Sequence, residues 1–190
     1  MSKASDLARF GVVQSGGIVK VETQPITAFG DTDGNDIING GAWVDVAGTE
    51  KAFTRSISTS KILVQYNLKL NSNRTIAFRL NRKIGSGAYA VVNNGASGTD
   101  GGRTSERGVL GGYYNLTSVN AMAYGMHADL YSFLDESGEG LTNSTDAITY
   151  KITLGGLGGS YDAFLNISAY DGTYYNSTAE SSVTFMEIKI

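Results

Sequence analysis

The stretch KILVQYNLKL, residues 61–70, alternates with a period of two. Ile62, Val64, Tyr66, Leu68 and Leu70 share one face, while Leu63, Gln65, Asn67 and Lys69 share the other. Side chains on an extended chain point to opposite sides in turn, so this period of two marks a strand buried on one face. Ten residues is well beyond the usual ~5–6 for a strand. Just downstream, RTIAFRLNRK (74–83) puts Ile76, Phe78 and Leu80 inward and Ala77, Arg79 and Asn81 outward. Asn71-Ser72-Asn73 between them reads as a hairpin turn that pairs the two strands.

The same alternation recurs toward the C-terminus. AITYKITLGG (147–156) sets Ile148, Tyr150, Ile152 and Leu154 against Thr149, Lys151 and Thr153. YDAFLNISAY (161–170) follows a glycine break and reads as a further strand. SVTFMEIKI (182–190) splits its phase: Val183 and Phe185 fall on one face, Met186, Ile188 and Ile190 on the other. Either a bulge separates them or both faces of this last strand are covered. NAMAYGMHADLYSFLDES (120–137) has rough helical spacing at Met122, Met126, Leu130 and Phe133, but Tyr124, Gly125 and Tyr131 favour strand. The polar, glycine-rich run 93–112 reads as one long loop.

Twenty-five glycines beside a single proline suit a sheet protein whose turns need positive φ. In total, roughly eight to ten antiparallel strands imply an all-β, jelly-roll β-sandwich. With 190 residues the chain is most simply one domain and can bury about 70% of its unfolded surface. Residues 1–41 read as an extended N-terminal arm, because their apolar cluster is too small for a core; residues 42–190 read as the head.

Bulk chemistry removes several function classes. The absence of cysteine excludes a thiol nucleophile and a Cys-ligated metal or cluster. The formal charge is −3, and Arg74, Arg79, Arg82 and Lys83 would divide between strand faces as a solvated edge, so no nucleic-acid footprint is expected. No apolar run is long enough to span a membrane, and MSKASDLARFGVVQSGG lacks the apolar core of a signal peptide. Asn-x-Ser/Thr triplets at Asn73, Asn115, Asn143, Asn166 and Asn176 then read as chance in a chain rich in these residues.

TDGNDIINGGAW (32–43) spells like one turn of a calcium-binding β-helix. Such sites form between stacked turns, and this copy is single. As an EF-hand starting at Asp31 it has donors at Asp33 and Asn35, but Asp36 falls where glycine belongs and Ala42 where a bidentate glutamate belongs. Asp31, Asp33 and Asp36 are therefore weak ligands, and no metal or other cofactor is expected. His127, the single histidine, has no serine elbow beside it, and the neighbours Asp135 and Glu136 sit in a loop reading with nothing apolar to shift them. Enzymatic activity is not expected. Two tyrosine doublets, Tyr113-Tyr114 and Tyr174-Tyr175, lie beside Gly and Asn. They suit either a glycan-stacking surface or a subunit seam.

AWVDVAGTEKAFTRSISTSKILVQYNLKL, RLNRKIG, AITYKITLGG and SSVTFMEIKI together resemble the C1q/TNF-like jelly rolls in virion proteins of tailed bacteriophages, such as tail-fibre tips and capsid-attached fibres. Trp43, Phe53, Thr54, Arg79, Leu80, Met186, Glu187 and Ile188 carry the likeness, which extends over residues 42–190. It implies a compact homotrimer with strands near the three-fold axis buried on both faces. It implies further a virion component, assembled in the host cytoplasm as a capsid decoration, head fibre or tail appendage. Leu7, Phe10, Val12 and Val13 would dock the arm on a capsid or tail protein. The alternative is an adhesin, in which Tyr113, Tyr114, Tyr174 and Tyr175 touch a host surface glycan. A depolymerase would need two acids in a groove, and the sequence nominates none.

Overall fold

The computed structural model describes residues 16–28, 43–72, 76–92, 99–100, 103–104, 109–113, 127–136, 141–156, 163–166 and 180–189. All the elements among them are β-strands. In chain order they are β1 (Gly17–Ile26), β2 (Val44–Asp45), β3 (Lys51–Phe53), β4 (Lys61–Ser72), β5 (Ile76–Ile84), β6 (Ala90–Val91) and β7 (Thr99–Asp100). Then come β8 (Arg103–Thr104), β9 (Val109–Tyr113), β10 (His127–Asp135), β11 (Ile148–Gly156), β12 (Ala163–Leu165) and β13 (Ser181–Lys189). One sheet runs β1-β13-β4-β10, with β12 beside the far end of β4; the other runs β2-β11-β5-β6, with β3 on β11 and β9 on β5. Every pairing is antiparallel. Strands near in sequence alternate between the two sheets, which is the jelly-roll order.

The alternation of residues 61–70 has the consequence expected of it. Ile62, Val64, Tyr66 and Leu68 are buried, and the other sheet covers them with Phe78, Leu80, Ile148, Tyr150, Ile152 and Leu154. Phe185 stacks on Phe53 with ring centroids 5.2 Å apart and lies 5.6 Å from Tyr150. A buried hydroxyl needs a partner, and Tyr66 donates to the Thr49 carbonyl oxygen at 3.0 Å.

Four expectations are corrected. Residues 71–73 do not turn a hairpin between β4 and β5, because the two strands belong to different sheets. Both edges of β4 are already taken, by β13 and β12 on one side and β10 on the other. Residues 17–26, assigned to the arm, form β1 and pair with β13. The run 93–112 is not one structureless loop: β7 and β8 pair with each other, and β9 extends the second sheet along β5. Finally, β13 keeps one phase without a bulge, with Ser181, Val183, Phe185 and Glu187 all inward. Of the two alternatives a bulge in β13 is excluded: Met186 and Ile188 lie on the outward face, half-buried, and Glu187 takes a core position. The bulge lies opposite, on β1, between Ile18 and Lys20. Residues 127–135, in contrast, form the strand expected of them.

Asn166 fastens the end of the sandwich where β12 meets β4. It holds φ at 62°, a region asparagine tolerates better than most side chains. Its Nδ2 donates to the carbonyls of Ile26 and Ala28 at 2.7 and 2.8 Å, its Oδ1 accepts from Ser181 Oγ at 2.6 Å, and its N–H donates to Lys69 O. An amide so engaged is not a glycan acceptor. Asn166→Ala is expected to lower stability to urea by about 3 kcal/mol and Asn166→Gly by about 2, glycine sparing only the backbone strain. Equal losses would assign the whole effect to the side-chain bonds.

Candidate functional site: an apolar sheet face above a buried ionic cluster

The outer surface of the β1-β13-β4-β10 sheet carries an apolar row. Val21 lies opposite Met186, Met186 opposite Leu63, and Leu63 opposite Leu134, so the row crosses the sheet from edge to edge. Ile18, opposite Ile188, extends it toward one end. Directly opposed side chains stand about 5 Å apart, so these make one patch. Val21 is 56% exposed, and Ile18 and Leu130 are each 63% exposed. The adjoining row is polar and self-bonded: Thr23 to Thr184 at 2.9 Å, and Gln65 Nε2 to Ser132 Oγ at 3.0 Å. The open edge of β1 carries devices against strand addition, namely Pro25, which lacks an N–H, and the Ile18/Lys20 bulge.

The outer surface of the opposite sheet is covered by its own side chains. Trp43 lies on Gly155 so closely that a Cβ there would meet its ring carbons at 2.7–2.8 Å. The Arg79 guanidinium stacks on the same indole, 3.6 Å from a ring centroid. Lys83 and Lys151 place their ammonium groups 4.8 and 4.1 Å from the Tyr89 ring. Both are also paired, Lys83 with Glu50 at 3.1 Å and Lys151 with Asp45 at 2.6 Å. Burial and the adjacent Glu50 carboxylate push the Tyr89 phenol well above its usual range. Under this cover Asn81 Nδ2 donates to Thr153 Oγ1 at 2.9 Å, both residues nearly sealed from solvent.

At one end of the core lie four buried charges. Arg82 pairs with Asp135, whose other oxygen accepts from the Tyr150 hydroxyl at 2.7 Å. Arg55 donates to the carbonyls of Ser60, Thr142 and Ser144, tying the segment before β4 to the one before β11. Glu187 accepts from the N–H groups of Ser56 and Ile57 and from Ser60 Oγ, at 2.7 to 2.9 Å. Two guanidinium groups balance two carboxylates. Burial raises the Asp135 carboxyl above the usual range, against the bond and charge of Arg82 and the bond from Tyr150. Burial also works to raise Glu187, but there the bonds from Ser56, Ser60 and Ile57 together prevail and hold it below the ordinary glutamate value. Arg82, Asp135 and Tyr150 bond one another, while Arg55 and Glu187 bind the backbone of the neighbouring loops and fix them.

Leu7, Phe10, Val12, Val13, Asp31, Asp33, Asp36, Tyr114, Tyr174 and Tyr175 lie outside the described residues. Tyr113 ends β9 opposite Ile76, and His127 opens β10 opposite Leu70. Among the described residues, no three metal-ligating side chains converge. Two readings change. Arg79 and Arg82 are not a solvated edge, since Arg79 stacks on Trp43 and Arg82 is inside. Asp135 is not a loop carboxylate: it ends β10 on the core side, while its neighbour Glu136 pairs with Lys61.

Arg55 and the burial of Glu187 were missed by sequence reasoning, although the phase of β13 would have found the latter; of the apolar row, the β13 part was foreseen in Met186 and Ile188. Replacing Asp135 with Asn removes the carboxylate that pairs with the buried Arg82, an expected loss of about 3–5 kcal/mol in thermal or urea unfolding. The double replacement Arg82→Met with Asp135→Leu should recover only part of that loss, because it leaves the buried Tyr150 hydroxyl without its acceptor. A double variant no more stable than the single would mean that the pair contributes more than mutual compensation.

No family model and no curated protein matches this chain. It is similar to two solved structures of infectious bursal disease virus. To that of the Gx strain it is 13% identical with a TM-score of 0.40, covering 88% of this chain and 36% of the other. To that of the Gt strain it is 10% identical with a TM-score of 0.41, covering 89% and 42%. The chain thus spans less than half the length of either.

Proposed function

We propose that this chain is a non-enzymatic structural subunit of a tailed-bacteriophage virion, a homotrimer of C1q/TNF-like jelly rolls. The observation that carries the reading is the apolar row Val21, Met186, Leu63 and Leu134, which crosses one outer sheet face from edge to edge. A contiguous exposed apolar patch marks a contact surface. Here it lies on the sheet that contains the last strand, where the resemblance puts the three-fold axis. The opposite sheet face, already covered by Trp43, Arg79, Tyr89 and their partners, faces outward in such a trimer.

In this reading the segment before β1 docks the trimer on a capsid or tail protein through Leu7, Phe10, Val12 and Val13. Tyr113, Tyr114, Tyr174 and Tyr175 are then available to a host glycan if the appendage also serves attachment. The virion is its location.

Light scattering of the purified chain at micromolar concentration should give three copies of the 20.1 kDa chain. Leu63→Glu with Met186→Glu should give a folded monomer, because a carboxylate cannot be left dry in an apolar seam. A wild-type monomer, or a double variant that still runs as a trimer, removes the assignment. Deleting residues 2–13 should leave the trimer intact and abolish its incorporation into particles.

A further inference from the structure

We propose that the end of the sandwich where the N-terminal segment joins it is a seat: residues 54–60, 85–88 and 142–147 form a rigid, nearly uncharged surface that lies against the capsid or tail protein receiving the arm. This rests on the virion reading above and adds a second contact to it. Strand register gathers the three segments. Gly17 lies opposite Lys189, Ile188 opposite Lys61 and Ile62 opposite Asp135, while Phe53 and Ile84 both lie opposite Ile148. Residues 1–15 therefore enter the fold at the end where these loops lie. The other end, where Ile26 meets Ser181, is about 25–30 Å away along β13.

The three segments are bound to one another and to the strands beneath them. Arg55 holds the carbonyls of Ser60, Thr142 and Ser144, and the Gly85 N–H donates to the Ala147 carbonyl at 2.8 Å. Glu187, on β13, accepts from the Ser56 and Ile57 N–H groups and from Ser60 Oγ. Lys20 of β1 donates to the Thr54 carbonyl at 3.3 Å, which ties the surface to the strand that follows the arm. Taking Arg55 and Glu187 out of water is costly. What it yields is a set of loops already in place before a partner arrives, and a complex then loses less entropy in ordering them.

The chemistry of the surface points to a protein. The exposed side chains of the three segments are Ser, Thr, Asn and Ala, with Asp146 the single charge. The β11-β5 face, in contrast, carries Lys83, Lys151, Glu50 and Asp45. Charged residues are thinned out at the centre of protein interfaces, and short neutral side chains cost less to desolvate than ionised ones. Short side chains also let another backbone come close to the loop hydroxyls. Within these segments there is no aromatic ring on which a sugar could stack and no exposed cation to hold an anionic polymer.

The test supplies variants of the full-length chain in place of the wild type during phage growth and counts the copies on purified particles by mass spectrometry. Ser86→Arg with Asn143→Arg should keep the size and melting temperature of the wild type and cut the copies by about tenfold or more, since two charges would have to be desolvated at the contact. Thr27→Arg, an exposed position at the opposite end between the bonded carbonyls of Ile26 and Ala28, should be carried like the wild type. Wild-type numbers for the near-end variant, or an equal loss for Thr27→Arg, overturn the seat. If the near-end variant does not fold, a photoreactive benzoylphenylalanine at position 143 decides. Light should join it to a capsid or tail protein; joining only to other copies of this chain, or to nothing, overturns the seat. Deleting residues 2–13 separates the readings. Copies kept by that deletion but lost by the near-end variant remove the arm's role and leave the seat, whereas particles that carry no wild-type copy remove the virion reading and the seat with it.

Discussion

β4 is enclosed along both of its edges, so its apolar stripe can be covered only from across the sandwich. That constraint sets the rest of the architecture. The next strand, β5, cannot lie beside β4 and must cross to the other sheet, where its own stripe of Phe78 and Leu80 meets the first one face to face. β10 returns to the free edge of β4, and β11 crosses again to β5. Each crossing places an apolar stripe opposite another. The jelly-roll order is thus the route by which long, one-sided strands each find cover.

Much of this was legible in the sequence, because period-two alternation is a local signal. The strands at 61–72, 76–84 and 148–156 could be read together with the faces they bury. Partner choice was not legible. Asn71-Ser72-Asn73 has the composition of a hairpin turn, but whether two neighbouring strands pair depends on which edges distant segments have already filled. A short strand could be read near β1, but its place beside β13 was hidden for the same reason. Its residues alternate weakly and its inward positions include Lys20, Glu22 and Gln24, whose bonds to Thr54, Ala52 and one another only the assembled fold reveals.

Three buried charges share a signature that an unprejudiced reading of phase would have caught. Arg82 follows Phe78 and Leu80 at the same period, Asp135 follows Tyr131 and Phe133, and Glu187 follows Val183 and Phe185. In each case the apolar stripe continues into a charged residue at the strand's end. Polarity suggests that the strand has stopped or turned over; phase says that it has not. Arg82 and Asp135 pair with each other, while Glu187, together with Arg55, binds backbone groups of the segments before β4 and β11. Strand ends of an apolar core are where a charge can be buried and still reach loop donors and acceptors.

The two outer faces of the sandwich then acquire different physical characters from the same alternation. On the β11-β5 side the outward residues are long and charged, and they cover the sheet with pairs and ring contacts of their own, down to sealing Asn81 and Thr153. On the β13-β4 side the outward residues include Leu63, Met186 and Val21, which have no such reach and leave apolar surface in water. A single copy gains nothing by holding these side chains outward, since the hydrophobic effect favours removing each of them from solvent. Pro25 and the β1 bulge discourage extension of the sheet at that edge, and strand addition there would leave the face itself in water. β13 thus carries an apolar stripe on its outward face and, on its inward face, the carboxylate that binds the segment before β4.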